Sequence, residues 1–367
     1  MKKLLVILGI LFFSCAKESE NNPIDFALNA DIEKIQSVMN QLKAYEVQIM
    51  VTDASGTDFR FQVNDSNYFY PASSVKFPVA LLALEKANRI REIDSQTEFI
   101  IQDDSLKTTI QNEVQKIFAV SDNEAYNRLF EFLGQDEIHQ GLLEKNLLSA
   151  RISHRVGTEN ADTIVSKAIT FFKNDSVVFH QEAKSNQPIK KLNLNKTLKG
   201  KGFYQNDSLI SQPMDFSKKN YLPISTLHEL MKRVQFPEKY SKKEQFQLAK
   251  NDRDFLLKVM HETPKQQGFD DAEYYDSYVK FFLFGDSEVT IPEHIKIYNK
   301  VGYAYGYLTD CAYIVDELND ISFVITATIH VNKNQIFNDD TYEYETIGIP
   351  FLAELGRQVH QFYLEKK

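Results

Sequence analysis

The chain of 367 residues has no tryptophan and only two cysteines, Cys15 and Cys311. A fold stapled by several disulfides is excluded. Its eight histidines do not cluster, and no pair stands at the spacing of a metal-binding helix. No glycine-rich phosphate loop is present either. Neither a cofactor nor a metal is therefore expected. A net charge of −9 argues against a nucleic-acid partner, which calls for a basic surface. What the chain does have is bulk. At 43% hydrophobic and 12% aromatic, it holds enough apolar side chain for a large core in one or two domains.

The N-terminus opens with Lys2-Lys3, followed by the apolar run 4–13 and by Ser14-Cys15. The run is too short to cross a bilayer and reads as a secretory signal peptide, residues 1–14. A cysteine directly after a small residue resembles a bacterial lipoprotein signal, although Phe12 stands where such signals usually carry leucine. The expectation is lipidation of Cys15, a polar tether over 15–30, and a membrane-anchored protein of the bacterial envelope on its periplasmic or surface face. The other reading is an ordinary signal peptide with an incidental cysteine. Cys311 lies in an apolar run and is expected in the core.

Apolar spacing predicts a helix over 31–42 and a hairpin over 47–63, whose turn is Asp53-Ala54-Ser55-Gly56. A helix follows over about 73–91, and the chain reads as mostly helical to about 260, with helices over 123–132, 225–233 and 251–261. Residue 134 is a glycine that stops the first of these. Strands return after Lys296. The alternation of Phe323, Ile325, Ala327, Ile329 and Val331 with Ser322, Val324, Thr326, Thr328 and His330 is a strand, reached through Glu317-Leu318-Asn319-Asp320. An amphipathic helix over 347–364 closes the chain. The expected class is α+β: an antiparallel sheet built from both chain ends, flanked by helices, with an all-helical middle. The polar segment 171–222 reads as an insertion with little regular structure.

Three short motifs stand in order: Ser73-Ser74-Val75-Lys76, Ser121-Asp122-Asn123 and Lys300-Val301-Gly302. S-x-x-K alone recurs by chance, as at Ser14 with Lys17 and Ser277 with Lys280. S-D-N and K-x-G each occur once; Ser73 is followed by both, whereas Ser277 lies beyond the S-D-N and Ser14 falls in the signal peptide.

The residue types suit acyl transfer. A serine hydroxyl needs a base within reach, and Ser73 and Lys76 share a helix face. Lysine acts as a base when burial or a second cation lowers its pKa, and Lys300 is a candidate for that cation. Ser121 is placed to relay a proton to the leaving group. Asn123 can hold a substrate amide or the Lys76 amine, and Lys300 a substrate carboxylate. Gly302 lets backbone approach the ligand. The N–H of Tyr303 pairs with that of Ser73 as an oxyanion hole. Each residue also has a plain role: Ser73 as a helix cap, Ser121 as a cap boxed by Glu124, Lys300-Val301-Gly302 as a strand end. Those roles leave the order unexplained.

The set resembles the penicillin-recognising serine enzymes, most closely the class A β-lactamases, whose motifs are S-x-x-K, S-D-N and K-T-G. The resemblance covers residues 31–365, with 171–222 as the insertion. It implies the β-lactamase/transpeptidase-like fold, acylation of Ser73, Lys76 as base or proton carrier, Ser121 as relay, and Asn123 and Lys300 as substrate holders. Two departures stand out. Val301 replaces the threonine whose hydroxyl binds a substrate carboxylate, a loss of about 1.5–3 kcal/mol. The position of the family's deacylating glutamate is Gly157, and the nearest candidate base is Glu159, which otherwise reads as a surface carboxylate or a partner for Arg155.

The expectation is therefore an exported, monomeric serine hydrolase that opens β-lactam rings. A D,D-peptidase, esterase or slow-deacylating penicillin-binding protein on the same fold is the first alternative. A lipoprotein that binds cell-wall fragments without turnover is the second.

Overall fold

The computed structural model describes residues 21–159 and 161–367. The signal peptide and Cys15 lie outside the described residues. A five-stranded antiparallel sheet forms the frame. Its strands are β1 (Gln48–Thr52), β2 (Asp58–Phe61), β3 (Ile295–Ala304), β4 (Tyr307–Asp316) and β5 (Ile321–His330), in the order β3-β4-β5-β1-β2. Both chain ends thus supply one sheet, and β3 is an edge.

Period-two alternation sorts its side chains onto two faces. Phe323, Ile325, Ala327 and Ile329 face the cluster formed with helices α1 (Pro23–Leu28), α2 (Glu33–Met39) and α9 (Ile349–Glu365). Cys311 and Val324 face the other cluster. That cluster is built around α3 (Lys76–Arg89), whose residues are buried from Lys76 to Ala87. The helices α4 (Ile110–Ala119), α5 (Asn123–Leu133), α6 (Gln135–Glu144), α7 (Ile224–Gln235) and α8 (Lys250–His261) surround it. Cys311 is a free core thiol, as expected from its apolar setting. None of the helices among the described residues is long and apolar enough to cross a membrane.

Two expectations need correction. The tether does not extend to residue 30. Helix α1 starts at Pro23, with Asn22 capping it through Oδ1 to the Ile24 N–H at 2.9 Å, and buries Ile24, Ala27 and Leu28. Nor is the middle all-helical. Strands Glu98–Ile101, Thr108–Thr109, Ile169–Lys173 and Ser176–Gln181 form a four-stranded sheet, and further short strands carry the insertion. The cause is local. Asn174-Asp175 and Asn206-Asp207 both take positive φ, the backbone of a two-residue hairpin turn that asparagine and aspartate tolerate. Phe171 and Phe179 then pair across the first hairpin.

Candidate active site

Ser73 sits in a 3-10 turn, Ala72–Val75, that leads into α3. Ala72 enters this turn at φ 47°, a conformation a side chain rarely accepts outside a functional turn. The two adjacent serines divide the work. Ser74 is fully buried and its Oγ donates back to the Pro71 carbonyl at 2.7 Å. Ser73 is half-buried and lines a cleft of about 840 Å³.

Lys76, one helical turn on, has no exposed surface. Its Nζ donates to the Ser121 carbonyl at 2.5 Å and to Asn123 Oδ1 at 2.7 Å. Burial lowers its pKa to about 7, with Asp122 pulling the other way. A neutral amine has two N–H donors and one lone pair. Two acceptors occupy both donors and leave the lone pair for a proton. Lys300 is held well below its ordinary pKa first by burial and then by Lys76.

Ser121 takes a left-handed backbone, φ 56°. It is not the cap of α5. Asp122 fills that role, accepting the Ala125 N–H at 2.7 Å. Ser121 is freed to meet Lys300, whose Nζ donates to Ser121 Oγ at 2.8 Å and to the Val301 carbonyl at 2.8 Å. With Lys300 donating to one of its lone pairs, the Ser121 hydroxyl keeps its own proton to give. Lys300 therefore stands beside Ser121, almost wholly buried. Val301 points to the opposite face of β3, into the core, so position 301 does not line the cleft.

Gly302 brings β3 against the Ser73 turn. A Cβ there would lie 2.6 Å from the Ser74 nitrogen, 2.7 Å from the Pro71 oxygen and 2.8 Å from the Ser73 nitrogen. Only glycine fits. The next residue, Tyr303, lines the cleft at the sheet edge, where its N–H and that of Ser73 can serve one oxyanion. Of the other two S-x-x-K pairs, Ser14 with Lys17 lies outside the described residues and the second is structural: Ser277 Oγ donates to the Ser287 carbonyl at 2.5 Å and Lys280 Nζ to the Ile297 carbonyl at 2.9 Å, both buried.

Helix α5 also positions the far wall. Asn123, Asn127 and Glu131 recur every fourth residue on one face. Asn127 holds the Val156 backbone at both ends, Nδ2 to oxygen at 3.0 Å and nitrogen to Oδ1 at 2.9 Å. Glu131 accepts the Arg155 Nε at 2.5 Å and the Lys167 N–H at 2.8 Å. Arg155 spends its remaining donors on the Thr163 and Val165 carbonyls. Its carboxylate partner is thus Glu131 and not Glu159. Gly157 has φ 63°, and a Cβ there would lie 2.8 Å from Asn123 Nδ2. A glutamate cannot occupy that position without displacing Asn123. Glu159 is exposed and lines the same cleft as Ser73. Sequence reading missed Asn127 and Glu131. Their signal was the four-residue spacing from Asn123.

The three motifs therefore converge. Residues 31–363 match the beta-lactamase enzyme family. The chain belongs to this family. Its fold is shared with a β-lactamase from Sphaerobacter thermophilus, at 14% identity and a TM-score of 0.53 over 92% of this chain and 96% of that one. It is shared with PBP-A, at 15% and 0.54 over 91% and 96%. L2, solved with relebactam, gives 15% and 0.53 over 93% and 99%. No curated protein sequence matches the chain. The β-lactamase/transpeptidase-like class expected from the motifs is the one observed, and family and fold are those of the penicillin-recognising serine enzymes.

Proposed function

We propose that this member of the family is a serine hydrolase that opens β-lactam amide bonds through an ester on Ser73. The observation that carries the reading is the filled coordination of the Lys76 amine, buried between the Ser121 carbonyl and Asn123. Ser73 Oγ adds to the carbonyl carbon and its proton passes to Lys76. The N–H groups of Ser73 and Tyr303 hold the oxyanion. Collapse breaks the C–N bond. The leaving nitrogen takes the Ser121 proton, which Lys76 restores. Water then adds to the ester, giving its proton to Glu159; collapse breaks the ester C–O bond, Glu159 returns that proton to Ser73 Oγ, and the ring-opened acid leaves. Asn123 and the Tyr303 edge hold the acyl amide meanwhile. Lys76 and Ser121 thus move protons, and Lys300 and Gly302 fix the geometry.

A second reading is favoured by one observation. Position 157 is closed by Asn123, and Glu159 stands exposed. A weakly held base leaves a long-lived ester, the behaviour of a penicillin-binding protein. PBP-A has been solved as an acyl-enzyme with penicillin G in a mutant form.

A chromogenic cephalosporin separates the readings. Sustained hydrolysis supports the lactamase, and a single stoichiometric burst the slow ester. Absence of any adduct overturns both in favour of a binding protein. Ser73→Ala must abolish labelling; persistence of label in that variant refutes the nucleophile.

Export and anchoring are part of the proposal. They rest on Lys2-Lys3, the apolar run 4–13 and Ser14-Cys15. Metabolic incorporation of a fatty acid, lost in Cys15→Ser, is the expected result. Incorporation that survives the substitution excludes Cys15 as the anchor.

A further inference from the structure

We propose that Lys219 selects substrates carrying an anionic group on their acyl side, the part that stays on Ser73 after ring opening. The inference rests on the acylation reading above.

Lys219 and Arg155 are the two lysine or arginine side chains lining the cleft among the described residues. Arg155 is buried and clamped on Glu131 and two carbonyls. Lys76 and Lys300 are buried with their acceptors in place. The ammonium of Lys219 donates to no protein group among the described residues. The acids on the same cleft, Glu159 and Asp340, make no ion pair with it.

Its backbone is fixed even though its side chain is free. The Lys219 N–H donates to the Phe216 carbonyl at 2.9 Å. Its own carbonyl accepts from Arg151 Nη2, which also holds the Ser217 carbonyl at 3.0 Å. The next residue, Asn220, is fully buried, and its Oδ1 accepts the Ser153 N–H at 2.9 Å. With the backbone already fixed, only the side-chain rotamers of Lys219 have to be ordered when an anion binds.

Position along β3 assigns the side of the scissile bond. Lys300 marks the leaving-group end, because it holds Ser121. Lys219 belongs to the other end. Phe216, which its N–H reaches, packs on Tyr305 at 5.4 Å between ring centroids, and Tyr70 packs on Tyr305 at 5.0 Å. Ala304, the last residue of β3, lies four residues beyond Lys300, roughly 13 Å along the strand, and Tyr305 follows it in the turn. Tyr305, Tyr342 and Tyr344 add an aromatic wall to that end. The complementary acyl group is therefore apolar or aromatic with a carboxylate.

Carbenicillin and benzylpenicillin differ by one carboxylate on the acyl side chain and make the test. Acylation rates of Ser73 are measured for both drugs on the wild-type protein, Lys219→Ala and Lys219→Arg. The expected result is a loss of about ten- to a hundredfold for carbenicillin in Lys219→Ala, the scale of one charge-assisted bond. Benzylpenicillin stays within about twofold, and Lys219→Arg recovers carbenicillin. An equal effect on both drugs, or none on either, overturns the role of Lys219 while leaving acylation intact. If neither drug labels the wild-type protein, the acylation reading itself fails and Lys219 falls with it.

Discussion

The amines of Lys76 and Lys300 meet at a single residue. Lys76 Nζ donates to the backbone oxygen of Ser121 at 2.5 Å, and Lys300 Nζ to its hydroxyl at 2.8 Å. One amine thus stands on the base side of the reaction and the other on the acid side. The left-handed backbone of Ser121 lets carbonyl and hydroxyl serve both.

The pH dependence of acylation follows from this. Lys76 must be neutral to accept the Ser73 proton, and its pKa is lowered to about 7. Acylation is expected to rise with pH along a limb centred near that value. Asp122 favours the charged form, so Asp122→Asn, which keeps the helix cap, is expected to move the limb to lower pH. Stopped-flow acylation across pH measures both. An unmoved limb assigns it to another group.

Gly302→Ala is expected to cost about 1–3 kcal/mol in denaturant unfolding and to cut covalent labelling by a hundredfold or more. The added methyl lands on the Ser73 and Ser74 nitrogens. Full labelling in a stable variant refutes the tight contact between β3 and the turn.

Glu131→Gln breaks a buried pair with Arg155 and weakens the hold on the Lys167 N–H. The expected loss is about 3–5 kcal/mol if the guanidinium stays buried, with new protease cutting between residues 155 and 167. Turnover should fall more than the burst, because the segment carries Glu159. Equal losses in both steps argue that this wall serves acylation as well.

Glu159→Gln is expected to leave the burst unchanged and to slow steady-state hydrolysis about a hundredfold, the scale of a lost general base. Unchanged turnover makes Glu159 a surface carboxylate.

Much of the frame is legible in the sequence because its strands are hairpin neighbours with clean alternation. That alternation alone sorts Phe323 to Ile329 onto one face, and the turn at Asp320, which takes φ 47°, carries its own signal. Helix α1 is not legible, since six residues give no helical period; the cue is Asn22 followed by Pro23. The hairpins of the insertion escape notice because the Asn-Asp turns lie among many polar residues. At the site, residue types are readable and orientation is not. Residue type singles out Lys300, and only the folded chain shows that it pairs with Ser121, a residue 179 positions away. Val301 faces the core for the same reason: parity on a strand follows from register.

The order of strands in the sheet has a consequence for biogenesis. β1 lies between β2 and β5, and β3 to β5 come from residues 295 to 330. A chain emerging N-terminus first holds its opening hairpin with an unpaired edge until most of its length has appeared. Such non-local closure is slow and exposed to aggregation. Nascent chains stalled before residue 295 should recruit holdase chaperones, and a chain halted there has no nucleophile cradle at all, since Gly302 has yet to arrive.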